Sequence, residues 1–458
     1  MRLQAIFFLY TACAARKEIK MKVAIIGAGS ICFTRSVVTD MILTPELEGL
    51  TVSLMDIDEE RLVFIGKLCK KMVEAGKVNF VIETTLDRRE AVAGADVVVT
   101  TIQVGTLDAY KLDLDIPMKY GVDQNIGDTL GPGGVFRTLR TLPVFMDLCR
   151  DMEELCPNAW LVNFVNPAAM ISWGVLIGSK VKCVGLCHSV QGLPYDMKRY
   201  FGPDYVPEKL KYTCAGINHM AWALELNYDG EDYYPKLFEA IKDPAVFDCN
   251  PAKFEVMKYF GYYVTESSYH YSEYLPYFRK DPAWVKKIRG SNTWPHMKIY
   301  DGDCFKFVSA RQDDFYENLQ MQIDGTAPIE LKKGMEYLPG IMKALKTGIP
   351  YKIHGNVLNK GLITNLPYDC VVEVPCMVDE NGVHACYVGE LPQQLAALNR
   401  SNISVQELAV KAALTGDKKM AAQAVMLDPL TAAVLTLEKI QAMVDEMFEA
   451  EKKWLPQF

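Results

Sequence analysis

The chain has 458 residues and a formal net charge of −8, and 50% of its residues are hydrophobic. It is longer than the about 250–300 residues at which a single core usually stops growing, so two domains are expected. The acidic balance argues against a nucleic-acid partner, which needs a basic surface. Thirteen scattered cysteines indicate free thiols in a reducing cytoplasm rather than a disulfide-stapled domain.

The first 20 residues contain an apolar run, Ala5 to Ala15, that has the outline of a secretory signal. Met21 and Lys22, however, lead directly into a predicted strand. We therefore expect residues 1–20 to be a leader or an upstream extension outside the fold, with Met21 as the start. No later stretch approaches the roughly 20 apolar residues of a membrane span, so no membrane partner is expected.

Short runs of β-branched and apolar residues alternate with helical patterns in the first part of the chain. The predicted strands are 22–27, 51–55, 96–102, 159–165 and 181–186, and the predicted helices are 30–43, 58–75, 133–155 and 167–178. Continuous apolar strands that alternate with helices are typical of a parallel, doubly wound sheet. Residues 21–195 are therefore predicted to form a Rossmann-like domain.

Residues 196–458 follow a different pattern and are predicted to form a second, α+β domain. Strand-like runs at 351–358 and 370–377 flank a loop, and amphipathic helices follow from about 403. The expected fold class is α/β, with the architecture of lactate and malate dehydrogenases. Apolar C-terminal helices and a tyrosine-rich segment at 259–278 indicate self-association as a homo-oligomer, either a dimer or a tetramer.

A glycine turn follows the first predicted strand. Gly27 and Gly29 permit a tight turn and the close approach of a pyrophosphate, and Ser30 begins a helix whose N–H groups attract that anion. Asp56 ends the second strand, where a carboxylate binds the ribose hydroxyls of NAD and repels the extra phosphate of NADP. Cys32 replaces the third glycine of the usual fingerprint. NAD is the predicted cofactor, and the alternative is an ordinary helix cap with a surface aspartate.

Two metal-binding side chains follow later apolar segments. Cys187 comes directly after the fifth predicted strand, and His219 ends a further apolar turn. In a doubly wound sheet, ligands bind at the carboxyl ends of the strands. A thiolate and an imidazole there would hold a divalent ion with open positions, because two protein ligands are too few for a closed structural site. The alternative is a buried cysteine and a hydrogen-bonded core histidine.

Other polar groups are expected at the same edge of the sheet. Asn166 follows the fourth predicted strand and is predicted to hydrogen-bond a substrate hydroxyl. The alternative is that it caps the following helix, which begins with Pro167. Residues 131–134 (Gly-Pro-Gly-Gly) are predicted to form a flexible turn before Arg137. In the tyrosine-rich segment, a catalytic tyrosine would need a pKa lowered by a nearby cation.

These motifs together resemble glycoside hydrolase family 4. The tetrad Cys187-His188-Ser189-Val190 resembles that of the family's α-galactosidases, whereas its uronidases carry Cys-His-Glu-Val. The resemblance spans nearly the whole chain from Met21. The matching stretches are 27–30, 56–58, 128–134, 166–167, 185–190, 215–220, 264–268, 355–357, 365–367 and 454–456.

The resemblance implies a hydrolase that oxidises the C3 hydroxyl of its sugar with bound NAD. The resulting ketone acidifies the C2 proton, a base removes this proton, the glycosidic oxygen leaves, water adds, and the ketone is reduced again. The implied substrate is a small-molecule α-galactoside. Substrates of the same family that remain open are α-glucuronides, α-galacturonides and α-glucosides.

The resemblance also implies roles for particular residues. Mn²⁺, the family's usual metal, would be held by Cys187 and His219 and would stabilise the enolate as a Lewis acid. The family's base is a tyrosine, which corresponds best to Tyr274, with Tyr271 and Tyr277 as alternatives. His188 occupies the position where the phospho-glycosidases carry their leaving-group acid, so we expect it either to protonate the leaving group or to shape the pocket.

Two other classes of protein share parts of this pattern. A 2-hydroxy acid dehydrogenase would use His219 as its general base and Arg137 or Arg140 to hold a carboxylate. That interpretation leaves Cys187 and its neighbours unexplained, and such enzymes have much shorter chains. A non-catalytic, NAD-binding regulator would bind the dinucleotide without hydrolysing a glycoside.

Overall fold

A 13-stranded sheet lies at the centre of the part of the chain that the computed structural model describes, residues 20–300 and 303–458. The order across the sheet is β10-β8-β7-β12-β11-β6-β5-β4-β1-β2-β3, with β13 beside β12 and β9 beside β8. Apart from Lys20, the predicted leader lies outside the described residues. The strands are β1 (Lys22–Ile26), β2 (Thr51–Met55), β3 (Val81–Thr85), β4 (Val97–Thr100), β5 (Trp160–Asn163), β6 (Lys182–Gly185), β7 (Leu210–Ile217), β8 (Met220–Tyr228), β9 (Glu231–Asp232), β10 (Tyr263–Val264), β11 (Tyr351–Leu358), β12 (Val371–Asp379) and β13 (Gly382–Ala385).

The part of the sheet from β3 to β6 is parallel. Its central strands are apolar along their length: every residue of β4 is buried, and β1 is buried from Val23 to Ile26. Strands covered on both faces carry continuous apolar runs, which is the pattern visible in the sequence. The predicted parallel sheet is therefore confirmed.

The strands after residue 195 extend the same sheet with antiparallel neighbours. β11 joins β6 through the pair Asn356–Gly185, β12 pairs with β11 along its length, and β7 joins β12 through the pair Glu373–Gly216. The sheet therefore crosses the predicted domain boundary at residue 195, and the division into residues 21–195 and 196–458 stays a prediction.

Helices pack against this sheet. The helix Gln393–Thr415 contacts the helices Gly131–Leu155 and Ala168–Gly178 of the first half and the following helix Lys418–Leu427. The C-terminal segment therefore covers helices of the first half. Within residues 20–300 and 303–458, no helix combines the length and the apolar character that crossing a membrane requires. The helices are α1 (Ile31–Ile42), α2 (Glu59–Gly76), α3 (Arg88–Val92), α4 (Thr106–Tyr120), α5 (Gly131–Leu155), α6 (Ala168–Gly178), α7 (Ser189–Phe201), α8 (Tyr234–Ala240), α9 (Pro244–Phe247), α10 (Pro251–Phe260), α11 (Ser268–Tyr271), α12 (Pro282–Arg289), α13 (Cys304–Ile323), α14 (Leu338–Thr347), α15 (Gln393–Thr415), α16 (Lys418–Leu427), α17 (Pro429–Val434) and α18 (Leu437–Glu451).

Some elements differ from the sequence predictions for physical reasons. Strand β3 is missed because it lies at the edge of the sheet and its residues are exposed or half-buried, which leaves no apolar run. The flexible turn predicted at 131–134 is wrong, since these residues are buried and form the first turn of α5. Pro132 suits a helix start, and the glycines fit closely against the backbone of Gly127 and Thr129. Helix α15 begins at Gln393, ahead of the predicted 403.

A buried ion triad joins α4, α5 and α18. Arg140 pairs with Asp113 and, at 2.8 Å, with Glu451, and the three side chains have 0% exposed surface. Removing one partner of such a cluster leaves an uncompensated buried charge, which destabilises a protein by about 3–5 kcal/mol. Because it is fully buried in this triad, Arg140 does not hold a substrate carboxylate, as the dehydrogenase alternative would require.

We expect Arg140→Ala to lower the free energy of unfolding by about 3–5 kcal/mol, because two carboxylates would stay buried without their cation. Chemical denaturation followed by circular dichroism measures this loss. Lys111→Ala is the matched control on α4, since Lys111 forms an exposed pair with Asp115 that is worth at most about 1 kcal/mol. Equal stability of the two variants would contradict the structural role of the triad.

Candidate active site

The candidate site starts from one row of paired residues across four neighbouring strands. Gly185 of β6 pairs with Asn356 of β11, which pairs with Glu373 of β12, which pairs with Gly216 of β7. The loop after β6 and the turn between β7 and β8 both begin just beyond this row. The sheet therefore brings together two loops that are distant in sequence.

A thiol, an imidazole and a carboxylate meet where these loops converge. Ligand atoms of Cys187, His219 and Glu266 lie within 4.8 Å of one another, and His219 Nε2 is 3.5 Å from Glu266 Oε2. His219 and Glu266 are buried, and Cys187 is half-buried. Three donors of this kind fit a divalent transition metal and leave coordination positions open for other ligands.

The sequence predicts Cys187 and His219 for a metal site but assigns no role to Glu266. Glu266 closely follows β10, a strand of only two residues (Tyr263–Val264), which is too short to show a periodic pattern. Glu266 could have been identified from the stretch 264–268, which contains it and is one of the stretches that match the family's pattern.

The electrostatics of this cluster favour a bound cation. Burial opposes the charged form of Glu266, but the charges of His219 and His270 and the hydrogen bonds from Ser267 lower the pKa of its carboxyl to about 2. Burial and the nearby Glu266 charge raise the pKa of the Cys187 thiol. A divalent ion would stabilise the thiolate, since a nearby positive charge favours the anionic form.

The structure places Tyr274, rather than Tyr271 or Tyr277, next to the cluster. Its hydroxyl is 3.4 Å from His219 Nδ1, and its side chain is buried. Tyr271 packs against Trp222, and Tyr277 is 45% exposed. Burial raises the pKa of Tyr274 well above its usual value, so the hydroxyl is neutral at physiological pH in the protein alone.

His188 lies at the rim of the cluster. Its Nε2 is 2.5 Å from Glu336 Oε1, and 53% of its side chain is exposed. The Glu336 carboxylate raises the pKa of the imidazole, although water around the exposed ring screens this pair. Gln191, in the first turn of α7, donates to the backbone of Met335, so two contacts hold the segment around Glu336 beside the loop after β6.

Asn166 lies in the loop after β5 and belongs to a chain of polar groups. Its side-chain amide donates to Asp128 Oδ2 at 2.9 Å, and its backbone carbonyl accepts from Arg137 Nε at 3.0 Å. The Oδ1 atom of Asp128 is 4.0 Å from His270 Nδ1, and the rings of His270 and His219 are 4.5 Å apart. Among the described residues, Asp128 Oδ1 and His270 Nδ1 are buried without hydrogen-bond partners. Both atoms therefore remain available to hydrogen-bond a ligand, which the sequence does not reveal.

The turn after β1 brings Asp56 to the predicted glycines. Gly29 N donates to Asp56 Oδ2 at 2.7 Å, and a side chain at Gly27 would collide with Ile102. The φ of Gly27 is 92°, a conformation that favours glycine. Ser30 precedes α1 without a side-chain cap, so the helix start offers N–H groups to an anion. The predicted cofactor residues thus lie together.

The fold and this cluster define an α/β enzyme of the Rossmann-like class. The model of the family 4 glycosyl hydrolases matches residues 22–202, and the model of the C-terminal domain of that family matches residues 214–431. Over 444 residues, or 95% of its length, the chain is 40% identical to the alpha-galactosidase of Bacillus subtilis (strain 168), of which it covers 99%. Over the same length it is 38% identical to the alpha-galactosidase of Rhizobium meliloti (strain 1021), of which it covers 89%. The chain belongs to glycoside hydrolase family 4 and is a glycosidase.

Solved structures share the fold. The 6-phospho-beta glucosidase from Thermotoga maritima, solved with manganese, NAD+ and glucose-6-phosphate, has a TM-score of 0.77 at 24% identity, with 95% of this chain and 99% of that chain covered. A lactate dehydrogenase from a deep-sea metagenome has a TM-score of 0.53 at 14% identity, with 86% and 99% covered. The predicted Rossmann-like fold with the architecture of the dehydrogenases is confirmed.

We expect Cys187→Ser and Glu266→Gln each to weaken Mn²⁺ binding by at least about tenfold, because substitutions outside the ligand shell already weaken metal sites about 10–100-fold. Titration of Mn²⁺ followed by its electron paramagnetic resonance signal measures the affinity without turnover. Cys386→Ser is the control, a cysteine outside the cluster that is also half-buried. Unchanged affinity in Glu266→Gln would remove Glu266 from the ligand set.

Proposed function

We propose that this glycosidase is an α-galactosidase that uses NAD and Mn²⁺. The observation that carries the proposal is the cluster of Cys187, His219 and Glu266, with the Tyr274 hydroxyl 3.4 Å from one of its members. A site for a divalent ion beside a general base suits the removal of a proton from a carbon next to a carbonyl group. The alpha-galactosidases that are similar to this chain, and the tetrad at residues 187–190, support galactose as the sugar.

The described residues fit both cofactors. Gly27 and Gly29 form a tight turn at the start of α1, where a pyrophosphate would meet the helix N–H groups, and the Asp56 carboxylate beside Gly29 would accept hydrogen bonds from ribose hydroxyls. β4 and β5 separate β1 from β6, so the glycine turn and Cys187 are three strand spacings apart, on the order of 14 Å. A dinucleotide bound at the turn therefore has space to extend towards the cluster.

When bound, NAD supplies a reversible acceptor for the C3 hydride of the sugar, and Mn²⁺ supplies positive charge beside the oxygens of the oxidised sugar. Cys187, His219 and Glu266 would hold the ion. Tyr274 takes the C2 proton, which requires its phenolate form, and a divalent charge at the neighbouring cluster favours that form.

The remaining polar groups position the sugar and assist the leaving group. Asn166 and Asp128, which are hydrogen-bonded to each other, would hold sugar hydroxyls beside the cluster. His188 donates a proton to the departing glycosidic oxygen, for which its exposed position at the rim is suited. Glu336 keeps the imidazole in place through its hydrogen bond.

The sulfur ligand also indicates the compartment. A thiolate in a metal site is lost on oxidation, so activity requires a reducing environment. The cysteines of the described residues are free. We therefore propose that the enzyme works in the cytoplasm, and its assembly into a homo-oligomer stays a prediction.

We expect p-nitrophenyl α-galactoside to be hydrolysed only when NAD, Mn²⁺ and a thiol reductant are present. No net change in NADH absorbance should accompany turnover, because the hydride returns to the sugar. A panel of α-galactoside, α-glucoside, α-galacturonide, α-glucuronide and β-galactoside, compared by kcat/KM, identifies the sugar.

Three other results of this assay would change the proposed sugar, mechanism or class of enzyme. Faster hydrolysis of an α-galacturonide or α-glucoside would replace galactose as the preferred sugar. Full activity after complete removal of NAD would contradict the oxidation mechanism. Steady oxidation of NADH with pyruvate or oxaloacetate would instead favour a dehydrogenase.

We expect His188→Asn to lower kcat/KM for methyl α-galactoside by about 10²–10⁴-fold, the usual contribution of a general acid. For the nitrophenyl galactoside the loss should be far smaller, because nitrophenolate leaves without a proton. Gln191→Ala is the matched control, since it removes the neighbouring contact to the same segment but no acid. The same loss for both aglycones would mean that His188 only shapes the pocket.

A further inference from the structure

A cavity away from the candidate active site is lined by residues that have no role in that site. Its volume is about 970 Å³, and its walls come from the end of α4, from the segment 279–290 and from the end of α17. Cavities of this size hold small organic molecules. Four positively charged side chains and one carboxylate line it: Arg279, Lys280, Lys286, Arg289 and Asp123.

The charges in this cavity are unbalanced. The Asp123 carboxylate accepts hydrogen bonds from Arg279 and from Arg289, and the Nη2 atom of Arg289 lies 3.1 and 3.2 Å from the two carboxylate oxygens. Among the side chains that the structure describes, no carboxylate lies within ion-pair distance of Lys280 or Lys286. The Nε of Arg289 is buried, and the described residues offer it no acceptor. Surplus positive charge and a buried donor without a partner favour an anionic ligand.

One face of α12 presents two of these cations to the cavity. Pro282, Val285, Lys286 and Arg289 line it at the spacing i, i+3, i+4 and i+7, which is a single face of a helix. Lys286 and Arg289 are therefore neighbours on that face. Lys287 instead pairs with Asp248 at 3.7 Å and lies over the rings of Phe247 and Trp284.

We propose that this cavity is a binding site for a small organic phosphate. The phosphate group lies between Lys286 and Arg289, where a dianion offsets the surplus charge and accepts charge-assisted hydrogen bonds. The organic part of the ligand packs against the apolar wall formed by Met118, Val285 and Val434. The site is separate from the metal cluster and from the glycine turn, so it goes beyond the proposed function.

The cavity is connected to the candidate active site through the segment 123–128. Asp123 contacts the cavity arginines, the amides of Ile126 and Gly127 donate to Glu273 at 2.7 and 2.9 Å, and Asp128 accepts from Asn166. An anion that draws Arg289 away from Asp123 therefore changes the support of the loop that carries Asp128. We expect such a ligand to change KM for the sugar substrate.

Isothermal titration calorimetry of the enzyme saturated with NAD and Mn²⁺ tests the site, with phenyl phosphate as a probe that joins a dianion to an apolar ring. Saturation with NAD keeps the probe away from the glycine turn. We expect wild type to bind with a Kd below about 1 mM. The Lys280→Ala/Lys286→Ala variant should bind at least about tenfold more weakly. Lys287→Ala, the matched control, should bind like wild type.

The proposal is overturned if wild type gives no binding heat, or if the affinities of wild type and both variants are equal. Benzoate separates the sources of an anion: tighter binding of benzoate than of phenyl phosphate would assign the cavity to a carboxylate. Sedimentation of the double variant detects a second copy, because loss of an oligomer without phosphate binding would show that acidic side chains of another chain fill the cavity. Phenyl phosphate that binds but leaves KM unchanged would overturn the connection through Asp123. The binding heats are compared between variants without sugar, so this part of the test does not depend on turnover.

Discussion

The candidate site depends on the close contact between β6 and β11. Gly185 and Asn356 pair across these strands, and the side-chain amide of Asn356 donates to Gly185 O at 3.2 Å. A side chain at Gly185 would collide with Ser172 and Asn356, so a residue without a Cβ is needed there. This contact joins the parallel half of the sheet, which carries the glycine turn, to the antiparallel half, which carries His219. It therefore helps to set the distance between the two halves of the candidate site.

Glu373 supports the same junction from the next strand. Its carboxyl accepts from Asn218 Nδ2 at 3.4 Å, which holds the turn where His219 adopts a φ of 61°. Burial and the neighbouring Cys187 raise the pKa of Glu373 well above its usual value, which favours its protonated form. As anionic ligands, Cys187 and Glu266 would balance the charge of one divalent ion, and a third charged carboxylate at Glu373 would leave an excess of negative charge. A protonated Glu373 would therefore keep the charge of the cluster matched to such an ion.

Residues are predictable here when their signal is local in the sequence. The turn at Gly27 follows a continuous apolar run and precedes a helix, and Cys187 comes directly after another buried strand, so a pattern reveals both. Glu266 and His270 are not predictable in this way. They lie beside a two-residue strand and inside the four-residue helix α11, which are too short for a periodic pattern. Only the folded sheet brings these two side chains to His219, whose hairpin lies elsewhere in the chain.

The two nitrogens of His219 have different neighbours, and this difference bears on the proposed role of Tyr274. Nε2 lies 3.5 Å from Glu266 Oε2, whereas Nδ1 lies 3.4 Å from the Tyr274 hydroxyl. A histidine that binds a cation through one nitrogen carries its proton on the other. With a cation on the Nε2 side, beside Glu266, the Nδ1–H group would donate to the Tyr274 oxygen and favour the phenolate. The buried tyrosine, which is neutral in the protein alone, would therefore become a base only when the cluster holds its ion, so that deprotonation of the sugar would depend on the metal through His219.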